Sequence, residues 1–496
     1  MLRKWTKHNE YQETLVSRIA RLIQTEPEKV KYYAKHLAKI YEANLDSLLD
    51  TIAFTYPNFG RPAQKQDVIF RSFLLASSLG FNSIRKWVPF LKSEKLLCYA
   101  AGAEPSEIPA VSNHYDFIKR LWLGQPPTAG VMRSPIRKPR KKLGKNQKQE
   151  PKHPGIIARL VQYATKGRIF SHRPERLLQQ VFASCCVIPS AVRGLLGNIT
   201  KLDIAADGTS LKTGAGQFGK KVCDCQSKGI LNCNCRRKYS DAEANWGWDS
   251  HNEKWFFGFT EYMISVRNTD AKVDLPIYLR TVQASRFDGV TAIVALSELR
   301  QLYPQFSFHS FIADCAHDNY PTYELLNAWN INPVISLSKN SIPPVPRNTL
   351  QLDSNGTPVC KAGRKLFFWG TIKSQHRLKW RCPIKCLKRQ SPCHFHDRCN
   401  SSAYGLTCYT KPDDDLRYIT PIPRGTHTWR LLFNKRTAAE RVNDKLLIDY
   451  TLESSHTRGK MRFSFWALIH SFNMHLDAWL KHLPHEHSPL SFLFAV

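Results

Sequence analysis

The stretch KLDIAADGTSLK (Lys201–Lys212) constrains the chain more than any other. Leu202, Ile204 and Ala206 alternate with Asp203, Ala205 and Asp207, the two-residue period of a β-strand. Gly208 follows and is expected to end the strand just after a carboxylate. An acid at the end of a buried strand is unfavourable unless a cation or a hydrogen-bond donor meets it. Asp203 and Asp207 have the same parity, so a regular strand points both to one face. An Asp-Gly pair taken alone reads as a turn; what favours chemistry lies further along the chain.

The balance of charge narrows the partner. The 496 residues carry 72 Lys and Arg against 40 Asp and Glu, a net charge of +32, which calls for a polyanion such as nucleic acid. An anionic membrane surface competes for that role. No apolar run reaches the roughly 18 residues of a spanning helix, so none is expected, and nucleic acid is the expected polyanion, with no membrane partner. The opening MLRKWTKHNEYQE lacks the apolar core of a signal peptide, so a cytoplasmic, reduced setting is expected. In that setting 14 clustered cysteines favour metal over disulfides. With 42% hydrophobic residues, a sizeable core can form.

Six segments follow from the order of patterns. Residues 1–130 read as a helical domain, for DNA binding or dimerisation, with helices over Val30–Tyr56, Asp67–Leu79, Ser83–Leu97 (kinked or split at Pro89) and His114–Leu123. Residues 131–155 form a basic linker, with nine Lys or Arg and one acid between Arg133 and Lys152. Connecting helices fill 156–200, interrupted at Pro189.

From 201 to 340, strands at Trp255–Val266 and Leu275–Ala284, a helix from Asp288 (its expected cap) to Tyr303, and a strand at Phe306–Ala313 ending in Asp314 follow the first strand. A helix at Pro321–Trp329 and a strand at Pro333–Leu337 complete a mixed α/β sheet. If the first and fourth strands are parallel neighbours, Asp207 and Asp314 emerge at one carboxyl edge, where open α/β sheets place their sites. Two such carboxylates repel unless a divalent cation sits between them. Asp318 reads as a helix cap.

Two cysteine groups interrupt this core. Cys223, Cys225, Cys233 and Cys235 lie in the loop 221–240 as two Cys-x-Cys pairs around a Gly turn. Four converging thiolates suit a structural zinc and leave no open catalytic position. The insertion 341–425 holds ten Lys or Arg and no acid from Lys361 to Pro392, with Phe367, Phe368, Trp369 and Trp380 interleaved. That pattern suits either base stacking or an ordinary β-rich core. Its Cys382, Cys386, Cys393 and Cys399, with His394, His396 and Cys408 nearby, are irregularly spaced, and the ligand choice stays open. In the last segment, 426–496, Phe433–Tyr450 reads as a helix with Arg436 and Glu440 four apart on one face, and Phe463–Leu480 as a packing helix.

Together IAADGTSLK, NWGWDSHNEKWFFGF, LPIYLRTVQAS and FIADCAHDNYPTYELLNAWNINPVIS resemble the DDE transposases of bacterial insertion sequences. The resemblance covers about 200–340 and 426–480. It implies a ribonuclease H-like sheet with flanking helices and a catalytic triad of Asp207, Asp314 and Glu440. These three would hold two Mg²⁺ (or Mn²⁺) ions for cleavage and strand transfer of double-stranded DNA at the element's ends. It makes Asp203 a structural or supporting acid and places Arg436, Arg441, Lys445 and Lys212 against DNA, with Arg436 either holding a phosphate near the scissile bond or orienting Glu440. Where some members carry Tyr and Lys around the Arg-x-x-x-Glu, this chain has Phe433 and Leu447, with Lys445 displaced by two. It further implies a prokaryotic, nucleoid-associated protein that dimerises during synapsis. The competing expectations are an inactive or domesticated DNA-binding descendant and a nuclease of the same fold that only hydrolyses.

Overall fold

The computed structural model describes residues 2, 5–63, 65–124, 154–170, 173–250, 252–339, 341–343, 350–387, 393–395, 399–400 and 402–483, with the backbone of 132–133. Most of the basic linker, and His396, lie outside these residues.

Helices open the chain: α1 (His8–Ile23), α2 (Pro27–Glu42), α3 (Asp46–Ile52), α4 (Gln66–Ser78), α5 (Ile84–Ser93), α6 (Lys95–Ala101) and α7 (Val111–Leu121). Two differences from the sequence expectation have simple causes. The long helix expected over Val30–Tyr56 breaks at Ala43, which turns out of helical geometry at ψ 87°. Pro89 does not split α5; the break comes at Glu94. Pro89 and Arg85 are exposed, so the carbonyl that loses its N–H partner to proline meets water. Strand β1 (Met132–Arg133) and helices α8 (Ile156–Thr165), α9 (Arg176–Phe182) and α10 (Ile188–Val192) lead to the sheet.

Strand β2 (Leu202–Lys212) does not stop at Gly208, as expected, but runs on to Lys212. It is followed by the short β3 (Lys220–Lys221) and β4 (Arg237–Lys238), then β5 (Asn245–Asp249), β6 (Lys254–Asn268) and β7 (Val273–Gln283). The reason for the continuation is β6, whose ladder pairs with β2 without interruption from Ile204↔Val266 to Lys212↔Gly258 and carries Gly208 opposite Tyr262. A single glycine weakens a strand but does not end one that a long apolar neighbour holds. Helix α11 (Asp288–Leu302), β8 (Phe308–Ala313), α12 (Tyr320–Ala328) and β9 (Asn332–Ile335) complete the sheet. Its order is β5-β6-β2-β8-β9, with β7 also on β6; β6 runs antiparallel to β2, while β8 runs parallel to β2 and β9 parallel to β8. The sheet is therefore mixed, and the first and fourth strands of the core are parallel neighbours.

The segment 341–425 builds its own antiparallel sheet from β10 (Phe367–Ile372), β11 (Arg377–Arg381) and β12 (Thr407–Thr410), with the one-turn helix α13 (Pro383–Cys386) beside it. Leu378 and Trp380 join Leu352, Leu366 and Tyr418 in a small separate core. Trp380 is buried there, with its indole N–H donating to Thr410 Oγ1 at 2.9 Å, so it is a core residue and not a stacking surface.

Helices α14 (His427–Phe433), α15 (Thr437–Asp444) and α16 (Lys460–Lys481) close the chain. The helix expected from Phe433 to Tyr450 is continuous but changes type along its length: a 3₁₀ turn spans Asn434–Arg436, α15 follows, and a π-turn covers Lys445–Asp449. Helix α16 packs against β7 and against α4, α2 and α9. One hydrophobic core therefore runs from the N-terminal helices through α16 to the sheet. Part of the buried polar surface of α16 is matched: His470 Nδ1 meets Ser77 Oγ at 2.7 Å and Asn473 Nδ2 donates to Leu74 O at 3.0 Å, while His470 Nε2, Ser471 Oγ and Asn473 Oδ1 have no hydrogen-bond partner.

On β6, Glu261 is fully buried and accepts from Thr281 Oγ1 at 2.6 Å, while its second oxygen has no partner. Burial pushes its carboxyl up to about 8. The folded state thus keeps a proton that the unfolded state releases near its ordinary value, so stability falls as pH rises toward 8. Glu261→Gln is expected to match the wild type at pH 5 and to be more stable at pH 9, by the order of a few kcal/mol, as read by denaturant unfolding. Equal stability at pH 9 contradicts the buried, protonated Glu261.

Candidate active site

Asp203 and Asp207 share a face of β2, and both meet the segment around α15. Lys435 Nζ donates to Asp203 at 2.7 Å and His309 Nδ1 lies 3.1 Å from it. Asn443 Nδ2 donates to Asp207 at 3.2 Å. Asp203 is thus held in an ion-paired network, whereas Asp207 has no cation beside it among these contacts.

Asp314 follows β8 with its carboxylate fixed from two sides. It accepts the Ala316 N–H at 3.0 Å and the His317 Nδ1–H at 3.0 Å. The other ring nitrogen of His317 meets the Tyr262 hydroxyl at 2.9 Å, and both of these side chains are buried. The carboxylate on Nδ1 fixes a proton there, and Nε2 is left to meet the Tyr262 hydroxyl. Burial alone would raise Asp314, but the His317 hydrogen bond and charge, the Ala316 N–H and the Arg436 charge outweigh it and hold the carboxyl below its usual range.

The sequence reading missed the acid that joins them. Asp288 was expected to cap α11. It lies instead in the first turn, behind Phe287 at the cap position, and makes no capping bond. Its carboxylate lies over Gly208: a Cβ built on that glycine would come within 2.8 Å of both Asp288 oxygens. The glycine in β2 is therefore a point of close approach. Burial raises Asp288, with His317 opposing and Asp314 reinforcing. Asp207 feels the sum: burial first, then the charges of Asp314 and Asp288, push it up to about 6.

Glu440 lies on α15 and lines the same groove as Asp207 and Asp288. Its carboxylate is paired with Arg436 at 2.8 Å, the i,i+4 pair expected from the sequence. The groove has a volume of about 1350 Å³, and Trp246, Trp248 and Phe287 form part of its wall. Trp248 and Trp255 are a cross-strand pair, 5.4 Å between ring centroids, and both are exposed.

Asp207, Asp288 and Glu440 line the groove with carboxylates, and Asn443, which also lines it, has a buried Oδ1 with no hydrogen-bond partner. Among the described residues no three of these acids bring their oxygens within 4.8 Å of one another, a convergence that the cysteines do reach.

The residues read as DNA contacts are dispersed. Arg436 serves Glu440 and Asp314. Arg441 is held by Asp274 through two bonds of 2.7 and 3.1 Å, an attachment of α15 to β7. Lys212 pairs with Glu453 at 3.3 Å, and Lys445 is exposed. Asp318 does not cap α12; Asn319 does, and Asp318 instead binds Arg417 at 2.8 and 2.7 Å, tying the core to the insertion.

Cys223, Cys225, Cys233 and Cys235 bring their sulfurs within 4.8 Å of one another, a cluster that could hold a metal such as zinc. The second cysteine group forms no such cluster among the described residues. No helix among the described residues is long and apolar enough to cross a membrane. No family model matches the sequence, and no curated protein matches it.

Proposed function

We propose that the chain is a DNA transposase of the DDE type, with a ribonuclease H-like core that cuts and joins DNA strands. The observation that carries this reading is the pairing of Asp207 on β2 with Asp314 after its parallel neighbour β8, the first carboxyl being pushed up to about 6 by burial and by its acidic neighbours. A site built at the expense of like-charge repulsion suits divalent cations. The strand order β7-β6-β2-β8-β9, with the short β5 also on β6, is in keeping with the ribonuclease H-like arrangement. Asp207, Asp314 and Glu440, with Asp288 and Asn443, would hold two Mg²⁺ or Mn²⁺. Such ions, when bound, supply Lewis acidity to phosphate oxygens and neutralise charge that builds up in phosphoryl transfer.

The chain's own groups do the rest. Asp314 is kept ionised and oriented by His317, itself braced by Tyr262. Arg436, now paired with Glu440, would be free to hold a phosphate if Glu440 served as a cation ligand. Exposed Trp248, Trp255 and Phe287 offer surfaces on which bases can stack. The basic remainder of the chain holds the DNA backbone, so affinity falls steeply with salt. A cytoplasmic setting on the nucleoid and dimerisation on paired DNA ends belong to the same reading.

The test uses a plasmid bearing the DNA that flanks this gene. The wild type is expected to cleave it in Mg²⁺ and to give joined products. Asp207→Asn, Asp314→Asn and Glu440→Gln are each expected to lose at least about 10³-fold in rate, some 4 kcal/mol of barrier, while still binding DNA. Cleavage without joining would leave a hydrolytic nuclease. Binding without cleavage in either metal would leave an inactive DNA-binding descendant.

A further inference from the structure

The cysteine hairpin has almost no core of its own. Strands β3 and β4 are two residues each, Cys233 is buried, and Phe218, Val222, Ile230 and Leu231 are exposed. A segment this small does not hold its shape by packing. Four thiolates within 4.8 Å of one another supply the missing staple when a zinc ion joins them.

The same segment is strongly basic. From Phe218 to Tyr239 it has six Lys or Arg and one acid, Asp224, which is paired with Lys228. Lys220, Arg236 and Lys238 are exposed. A positive charge remains even after Asp224 and the two net negative charges of a zinc tetrathiolate are counted. Strand β1 pairs with β4, Met132 opposite Lys238 and Arg133 opposite Arg237, so the start of the basic stretch Arg133–Lys152 is tied to this hairpin.

Its position points to a partner. The hairpin leaves β2 at Lys212, five residues and roughly 17 Å beyond Asp207, and returns through β5, which lines the acidic groove. Its root is fixed by buried Asp241, which accepts from Thr213 Oγ1 at 2.7 Å and from the Gly459 N–H at 2.8 Å. Lys212 at the hairpin's root pairs with Glu453, which lines the groove, so a polyanion lying in the groove passes beside the root of this basic hairpin.

We propose that the hairpin is a zinc-clipped clamp for the phosphate backbone of duplex DNA at the rim of the acidic groove. The choice of DNA rests on the function proposed above. Zinc content and anisotropy of a labelled duplex across a salt series, on the full chain, test it. The wild type should hold one zinc per chain. Lys220→Ala/Arg236→Ala/Lys238→Ala should keep its zinc and its melting temperature. Its duplex affinity should fall about 10- to 100-fold, and its salt slope should become shallower by about 2 to 3. Cys233→Ser/Cys235→Ser should lose zinc and show the same fall.

A triple variant with wild-type affinity and slope overturns the proposal, as does a wild type without zinc. So does a triple variant that loses self-association or binding to anionic vesicles while still gripping DNA. The two readings fail separately. Wild-type cleavage beside an unaffected triple variant removes only the clamp. Weakened binding by the triple variant, with no cleavage by the wild type in any metal, removes only the catalysis.

Discussion

Asp207→Asn should make the metal-free protein more stable at pH 8 and leave it catalytically dead. The stabilisation follows from where the carboxyl sits. Its folded-state value is about 6, raised by burial and by Asp314 and Asp288, against an ordinary value near 3.8. Between those two values the folded chain keeps a proton that the unfolded chain has lost. The stability this proton confers is complete below pH 4, declines as pH rises, and is gone above pH 6. A shift of this size corresponds to about 2 to 3 kcal/mol. An uncharged, near-isosteric Asn can still accept from Asn443 and removes that burden. Urea unfolding should therefore give a more stable variant at pH 8 and equal stabilities at pH 4. A variant destabilised at pH 8 would mean that Asp207 is held by attractive contacts and not strained by like charge. Metal affinity should share the pH dependence, rising as Asp207 deprotonates through pH 6, because proton and cation compete for one carboxylate.

The second large effect lies at a buried residue behind Asp314. His317 is 1% exposed and connects Asp314 to Tyr262. Groups that orient a metal ligand typically carry 10- to 100-fold in metal affinity or activity. His317→Ala should accordingly raise the Mg²⁺ concentration needed for half-maximal cleavage by roughly that factor, with partial recovery of the maximal rate at high Mg²⁺. The variant also opens a cavity, so His317→Asn, whose amide can still donate to Asp314, is the control. Recovery of most of the metal affinity by His317→Asn marks a positioning role; equal loss in both variants, matched by equal unfolding, marks a packing role only.

Much of the sheet was legible because its strands alternate clearly and its helices have clean ends. The extents of β6, β7, α11 and β8 fall close to those read from residues 255–313, and the four cysteines of the first loop converge as their spacing suggests. What was not legible depended on partners remote in sequence. Gly208 reads as a stop until β6 is known to run beside it. Asp288 reads as a cap because Asp before a helix usually is one; only the bare glycine on β2 shows why it turns inward. Asn443 gives no signal in sequence, since its role depends on α15 lying across β2. Arg441 looks like a DNA contact until Asp274, more than 150 residues earlier, is seen to hold it. The N-terminal helices look like a separate unit because their partner, α16, comes last in the chain.

The central claim is that this group of carboxylates is a divalent-cation site. Electron paramagnetic resonance titration of Mn²⁺ into the zinc-replete protein at pH 7.5 tests it most directly. Saturable Mn²⁺ binding by the wild type is expected, competed by Mg²⁺, weakened at pH 5, and lost in both Asp207→Asn and Asp314→Asn. No saturable binding by the wild type, or binding that survives both substitutions, would contradict it.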